Sequence, residues 1–338
     1  MKRKWLLKMA AAILPVLAAS ASTAEAATLA PYGLAVDARN GVLYIADPTK
    51  GVLAYNPASN AIAPFAPDLS NAFSVAVNSN GLVYVGVVGA SAKINVYNAQ
   101  GAALDALPVP RGDSPITLAF DADNILYESN GYSATGWGEI NAFTNDLSLP
   151  YDKQFSTLNP SIVLTLPAYN GLPTYTEMKP DSKFALAYDN GQIFLLGSNP
   201  GQGGNANIYD TQLLLSGHAR DFREQIAPCI DPRCNNWLTT HVLPFSGFSF
   251  AAAVDGNHNI FYSDPDGKAV RVTAKGGAPR TLLSNLGSSP SGIAFDKARS
   301  RLYVAFPSDH QILAYAVTYA TQNGVKIPSL SMPPAIIR

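Results

Sequence analysis

The sequence predicts an all-β fold, a six-bladed β-propeller of four-stranded antiparallel blades, with residues 27–338 forming one domain. Three observations carry this expectation. One outline of about 42 residues recurs six times along the chain. Charged residues make up only 14% of it, against an average near 25%. Gly and Pro number 26 and 25, beside 16 Tyr, so tight connections alternate with β-favouring stretches.

The six copies are legible in order. They are PYGLAVDARNGVLYIADPTKGVLAYNP from Pro31, AFSVAVNSNGLVYVGVVGASAKINVYNA from Ala72 and PITLAFDADNILYESNGYSATGWGEINAFT from Pro115. TYTEMKPDSKFALAYDNGQIFLLGSNP follows from Thr174, then FSFAAAVDGNHNIFYSDPDGKAVRVTAKG from Phe248 and PSGIAFDKARSRLYVAFPSDHQILAYAV from Pro290. Each parses alike. A strand of small and apolar residues ends in a polar hairpin, Ala38 to Gly41 in the first copy. An aromatic-bearing strand, Val42 to Ala46, comes next. A third strand, Gly51 to Asn56, follows a turn-rich loop, and an irregular fourth segment completes the unit. Small residues in the first strand suit a crowded centre where blades converge; aromatics in the second suit the wider space between blades. One such sheet cannot bury both faces, whereas sheets packed radially can, and closure leaves no long edge exposed. Two separate sandwiches are the alternative architecture.

The reference positions Asp37, Asn78, Asp121, Asp181, Asp255 and Asp296 lie 41, 43, 60, 74 and 41 apart. The two long intervals read as insertions, 145–173 and 199–239, because neither contains another copy. The longer one opens on NPGQGGN, read as a flexible linker. Asp210 to Ala227 then offers a capped amphipathic helix, placing one short helical insertion between the fourth and fifth blades. Cys229 and Cys234, the two cysteines of the chain, suit a local disulfide in an exported protein. Closure of the ring is expected to pair either Ala27–Ala30 or the tail around Val317–Thr321 with the last blade.

The amino terminus reads as a secretory signal peptide over 1–26. A basic start with Lys2, Arg3, Lys4 and Lys8 precedes an apolar run too short for a membrane span, then the Ala24–Ala26 cleavage signal. Cleavage near Ala26 sends the chain to the periplasm or outside the cell. Of 23 basic and 24 acidic residues, four and one lie in that leader, leaving 19 against 23. This mildly acidic balance, with no basic block, points away from nucleic acid. No second apolar run approaches membrane length, so the partners expected are a small-molecule ligand or another exported protein.

The GLAVD…LYIAD wording, repeated through all six copies, resembles NHL-repeat propellers. More broadly it resembles the superfamily shared by the senescence-marker-protein/gluconolactonase lactonases and virginiamycin B lyase. The resemblance covers most of the chain and implies a six-bladed ring whose ligand site is the channel mouth. For a lactonase it further implies a metal acting as Lewis acid on the lactone carbonyl, with a carboxylate activating water. Those enzymes carry a Glu ligand just before the first strand of the first blade, and no acidic residue lies between Ala27 and Val36 here.

The loops leading into first strands and those joining second to third strands share the face of that mouth. Candidate ligand-binding residues are Tyr32, Glu128, Asn130, Tyr175, Glu177, Asp189, Asp264 and His310, with Asp47 and Asp309 nearby in the same loops. Oxygens of Glu128, Asn130, Glu177 and Asp189 are the set that would hold a divalent cation such as calcium. Asp47-Pro48 and Asp264-Pro265-Asp266-Gly267 are equally good turns, in which Asp caps its own backbone. A lyase would need a pair of catalytic side chains including His, and among four histidines only His310 is well placed. No G-x-S-x-G or phosphate-cradling loop is present. Two functions remain: a binding module acting at its channel mouth, and a calcium-dependent lactonase or related hydrolase.

Overall fold

A computed structural model describes residues 28–109, 114–129, 138–143, 160–166, 185–199, 203–210, 239–243, 249–273 and 279–338. Among them the strands pair in sequence order into six antiparallel sheets. The first is β1 (Gly33–Val36), β2 (Leu43–Asp47), β3 (Gly51–Asn56) and β4 (Ala61–Ala66). The second is β5 (Ala72–Val77), β6 (Val83–Val87), β7 (Lys93–Tyr97) and β8 (Ala103–Pro108). The third is β9 (Thr117–Phe120), β10 (Leu126–Ser129), β11 (Gly138–Phe143) and β12 (Pro160–Leu166). The fourth is β13 (Ala185–Asp189), β14 (Gln192–Asn199), β15 (Gly203–Asp210) and β16 (Thr239–Leu243). The fifth is β17 (Ala252–Val254), β18 (Ile260–Asp264), β19 (Ala269–Thr273) and β20 (Pro279–Leu283). The last is β21 (Ile293–Asp296), β22 (Arg301–Phe306) and the long β23 (Gln311–Gln322), which pairs with both β24 (Val325–Leu330) and β25 (Ala335–Ile337).

The arrangement is an all-β propeller of antiparallel four-stranded blades. Its first strands meet at the centre: β1 packs on β5 and β21, β9 on β5 and β13, and β17 on β13 and β21. Second strands of the first, second, third and fifth sheets are buried along their length and send alternate side chains to opposite neighbours, as the two-residue period of a strand requires. Leu43 and Ile45 pack with Tyr303, Ala305 and Ile312 of the last sheet. Tyr44 and Ala46 pack with Val75, Val83 and Val85 of the second. Tyr44, Tyr84, Tyr127, Phe261 and Tyr303 are all buried at the equivalent position, filling the inter-blade space as expected.

The acidic or amide reference residue shapes the first hairpin. Asp37, Asn78, Asp121, Asp255 and Asp296 each accept backbone N–H bonds from residues two to four further on, the Asx geometry that closes tight turns. Burial pushes the Asp37 carboxyl up, but the side-chain and backbone hydrogen bonds and the charge of Arg39 outweigh it, so its pKa is lowered. Asp121 has no such cation; burial dominates and raises its pKa. These hairpins also latch one sheet to the next. Arg39 reaches Asn80 O, Arg299 Nη2 donates to Asn40 O at 3.2 Å, and Ser79 N donates to Asn124 Oδ1 at 2.9 Å.

Several expectations are corrected. In the fourth sheet the first strand is β13, so the reference residue is Asp189 and not Asp181. Asn190 and Gly191, at φ 45° and 81°, form the two-residue turn between Asp189 and Gln192, a pairing of residues that tolerate the left-handed region. The expected linker at Asn199 is a hairpin, since β14 ends there and β15 starts at Gly203. Extra sequence therefore falls inside the fourth sheet, before β16, and not between sheets. Likewise β12 lies within the shorter insertion and forms the outer strand of the third sheet. The described residues contain no α-helix. Asp210 ends β15, the remainder of the expected helix lies outside the described residues, and the helical turn that is present is a 3-10 turn at Pro307–Asp309. Cys229, Cys234 and the leader 1–26 also lie outside. Neither expected closing segment takes the outer position of the last sheet: Val317–Thr321 belongs to β23, and β25 pairs with Ile312–Ala314.

Candidate functional site

The centre of the ring is an open cleft with an apolar wall of Leu34, Val75, Leu118, Leu186 and Ile293. First strands deliver these residues because small side chains let them converge. Gly33 is the clearest case: a Cβ there would lie 2.6 Å from Phe73 O and 2.9 Å from Ser74 Cα. Only glycine permits that approach.

Five residues before each reference position, the chain arrives at the mouth. Tyr32, Phe73, Ile116 and Phe250 occupy this place and line the cleft; Phe184, the fourth-sheet equivalent, lies outside the described residues. Tyr32 and Phe73 have ring centroids 5.0 Å apart, and Phe73 and Phe250 stand 6.4 Å apart nearly edge to face. Phe73 also stands at an irregularity. The β5–β6 register steps from Ala72↔Val87 to Ser74↔Gly86, leaving Phe73 as the extra residue, and such bulges re-aim a side chain. The nearby hydroxyls are engaged: Ser74 Oγ donates to Pro115 O at 2.8 Å and Ser291 Oγ to Pro31 O at 3.1 Å. Among the described residues no charged side chain lines the cleft.

Of the residues expected from sequence, Tyr32 sits in this mouth. The acids nearby serve their own loops. Asp47, buried, accepts hydrogen bonds from Ala30 N at 2.6 Å, from Thr49 N and Oγ1 at 2.9 and 2.8 Å, and from Lys50 N at 3.1 Å. Asp264 accepts from Gly267 N at 2.9 Å and from two guanidinium nitrogens of Arg271, each at 2.7 Å. Asp309 accepts from Ser288 Oγ at 2.6 Å. His310, in the left-handed conformation, donates through Nδ1 to Leu29 O at 2.8 Å. Asp47 and His310 thus pin Leu29 and Ala30 between the first and last sheets.

Glu128 and Asp189 do not join them. Glu128 is a β10 strand residue with 0% exposure, on the Leu126 face that packs against the second sheet. Asp189 lies in a first hairpin on the far face, where its Oδ2 contacts His258 Nδ1. Asn130, Tyr175 and Glu177 lie outside the described residues. Among the described residues no three His, Cys, Asp or Glu side chains come together in a way that would hold a metal ion; Asn130 and Glu177, two of the four calcium ligands read from sequence, lie outside them. Phe73 and Phe250 were missed by sequence reasoning, although their shared register five residues before Asn78 and Asp255 was a usable signal.

No protein-family model matches the sequence. No curated protein matches it either. Solved structures do. A gluconolactonase from Xanthomonas campestris matches with a TM-score of 0.54 at 15% identity, over 83% of this chain and 85% of that one. A chain of the nidogen/laminin complex matches with a TM-score of 0.54 at 14% identity, over 79% and 85%. Virginiamycin B lyase from Staphylococcus aureus matches with a TM-score of 0.52 at 12% identity, over 83% and 93%. The chain has the fold of lactonase-like β-propellers. At these identities the likeness concerns fold, which hosts enzymes and binding modules alike.

Proposed function

We propose that this protein is an exported binding module whose six blades close one ring and whose ligand, a small molecule or a partner protein, enters at the channel mouth. The observation that carries the reading is a contrast within one face. Aromatic side chains from different blades gather at the axis, while Asp47 and Asp264 around them are engaged by their own loops and neighbours and Asp309 accepts from Ser288. Carboxylates so engaged are poorly placed to share a cation, which needs six to eight oxygens turned to one point. Half-buried aromatic surface in a concave site is what a ligand covers favourably. Export rests on the leader read from residues 1–26; among the described residues no helix is long and apolar enough to cross a membrane.

The competing reading is a calcium-dependent hydrolase. Purified mature protein incubated with a panel of γ- and δ-lactones, with calcium and with chelator, separates the two. No turnover above the uncatalysed rate under either condition is expected. Chelator-sensitive hydrolysis would overturn the binding-module reading.

A further inference from the structure

We propose that the channel mouth selects an uncharged ligand bearing a planar aromatic ring, which packs against Phe73 and directs a hydrogen-bonding group to the Tyr32 hydroxyl. This rests on the binding-module reading and narrows it to a ligand class. Three observations support it independently. First, among the described residues no ionised side chain lines the cleft, so a charged ligand would shed its hydration there without a counter-charge. Second, the three rings are arranged to receive rather than to fill. Tyr32 and Phe73 are tilted by 33° at 5.0 Å, but Phe73 and Phe250 meet at 6.4 Å, near the outer limit of an aromatic pair. All three remain partly exposed. Third, Phe73 stands at a bulge, the residue left over where the β5–β6 register steps, and such bulges are over-represented beside functional sites.

Polarity sets the remaining preference. Ser74 and Ser291 spend their hydroxyl protons on main-chain carbonyls. The Tyr32 hydroxyl has no hydrogen-bond partner among the described residues, while its main-chain N–H is bonded to Ala46 O at 2.9 Å. It can donate to or accept from one ligand group. A flat ring gains offset or edge contacts with Phe73, Tyr32 and Phe250 together; a saturated ring of equal size gains only its buried area.

The test uses three probes matched in size: 2-naphthol, 2-naphthoate and decahydro-2-naphthol, each titrated calorimetrically into the mature protein. The expected result is saturable one-to-one binding of 2-naphthol, with the anion and the saturated alcohol each at least tenfold weaker. Phe73→Leu, which keeps apolar volume, should weaken 2-naphthol at least fivefold with an unchanged circular dichroism spectrum. If that variant does not fold, Phe250→Leu takes its place with the same expected loss. Absence of saturable 2-naphthol binding, affinities within threefold across the probes, or unchanged binding by the folded variant overturns the ligand class. Chelator-sensitive lactone turnover instead overturns the reading beneath it, so the two failures are distinguishable.

Discussion

Gly33→Ala tests the convergence of first strands on which the mouth depends. The new methyl would be placed 2.6 Å from Phe73 O, 2.9 Å from Ser74 Cα and 3.2 Å from Val75 N. All three are main-chain atoms of the neighbouring sheet, so no rotamer change relieves them. The methyl would be about 1 Å inside normal contact, and β1 must move from β5. Overpacking of this kind costs about 1–3 kcal/mol. With an unfolding entropy of about 2 cal/mol/K per residue, a 338-residue chain loses about 1.5 °C per kcal/mol. The expected fall in melting temperature is therefore about 1.5–4 °C. Gly256→Ala is the control, because nothing lies within 4 Å of a Cβ at that glycine and the substitution restricts the unfolded chain; its midpoint should match the parent or exceed it. Differential scanning calorimetry reads both. A Gly33→Ala midpoint equal to that of the control would refute the close-approach argument.

Two further tests address the hairpins and the outer strand of the last sheet. Asp37 has a folded-state pKa below its unfolded one, so its contribution is present above about pH 4 and is lost as pH falls through the folded value. Asp37→Asn should cost about 1.5–3 kcal/mol at pH 7, the range for hydrogen bonds to a charged group. In urea titrations at successive pH values the deficit should shrink below about pH 4. Ile337 is 3% exposed among Leu29, Leu43 and Ile312, whereas Ile336 is 54% exposed. Ile337→Ala should cost about 2–4 kcal/mol and Ile336→Ala less than about 0.5 kcal/mol, read as a difference in denaturation midpoints.

The fold was legible because its signals are local and repeated. Buried tyrosines at one position of the second strand, and an Asp or Asn that closes each first hairpin, recur at nearly constant spacing. The register failed in the fourth repeat, where two polar stretches compete. Asp181 sits in a stretch with the same composition as a hairpin, but Asn190-Gly191 supplies the positive φ values that a two-residue turn demands. The anticipated ring closure failed for a different reason: pairing between β23 and β25 is decided by tertiary packing, not by any pattern within either segment. At the mouth, acids drew attention because they can do chemistry, yet Asp47 and Asp264 are held by turn amides and Arg271. Phe73 and Phe250 looked like ordinary strand residues. Whether an aromatic ring faces a sheet neighbour or the axis depends on its place in the repeat, and Phe73 and Phe250 share one, five residues before Asn78 and Asp255.

The seam between the first and last sheets differs from the others in its history. Arg299 meets Asn40 across 259 positions, Ser291 meets Pro31 across 260, and His310 meets Leu29 across 281. Neighbouring sheets elsewhere join residues such as Ser74 and Pro115, 41 apart. Bringing together ends so distant costs about 1.5 kcal/mol more in chain entropy than closing a loop of some 40 residues, and such contacts form late in folding. The circle is therefore completed last at this seam, and a permuted chain opened elsewhere would move that slow step with it.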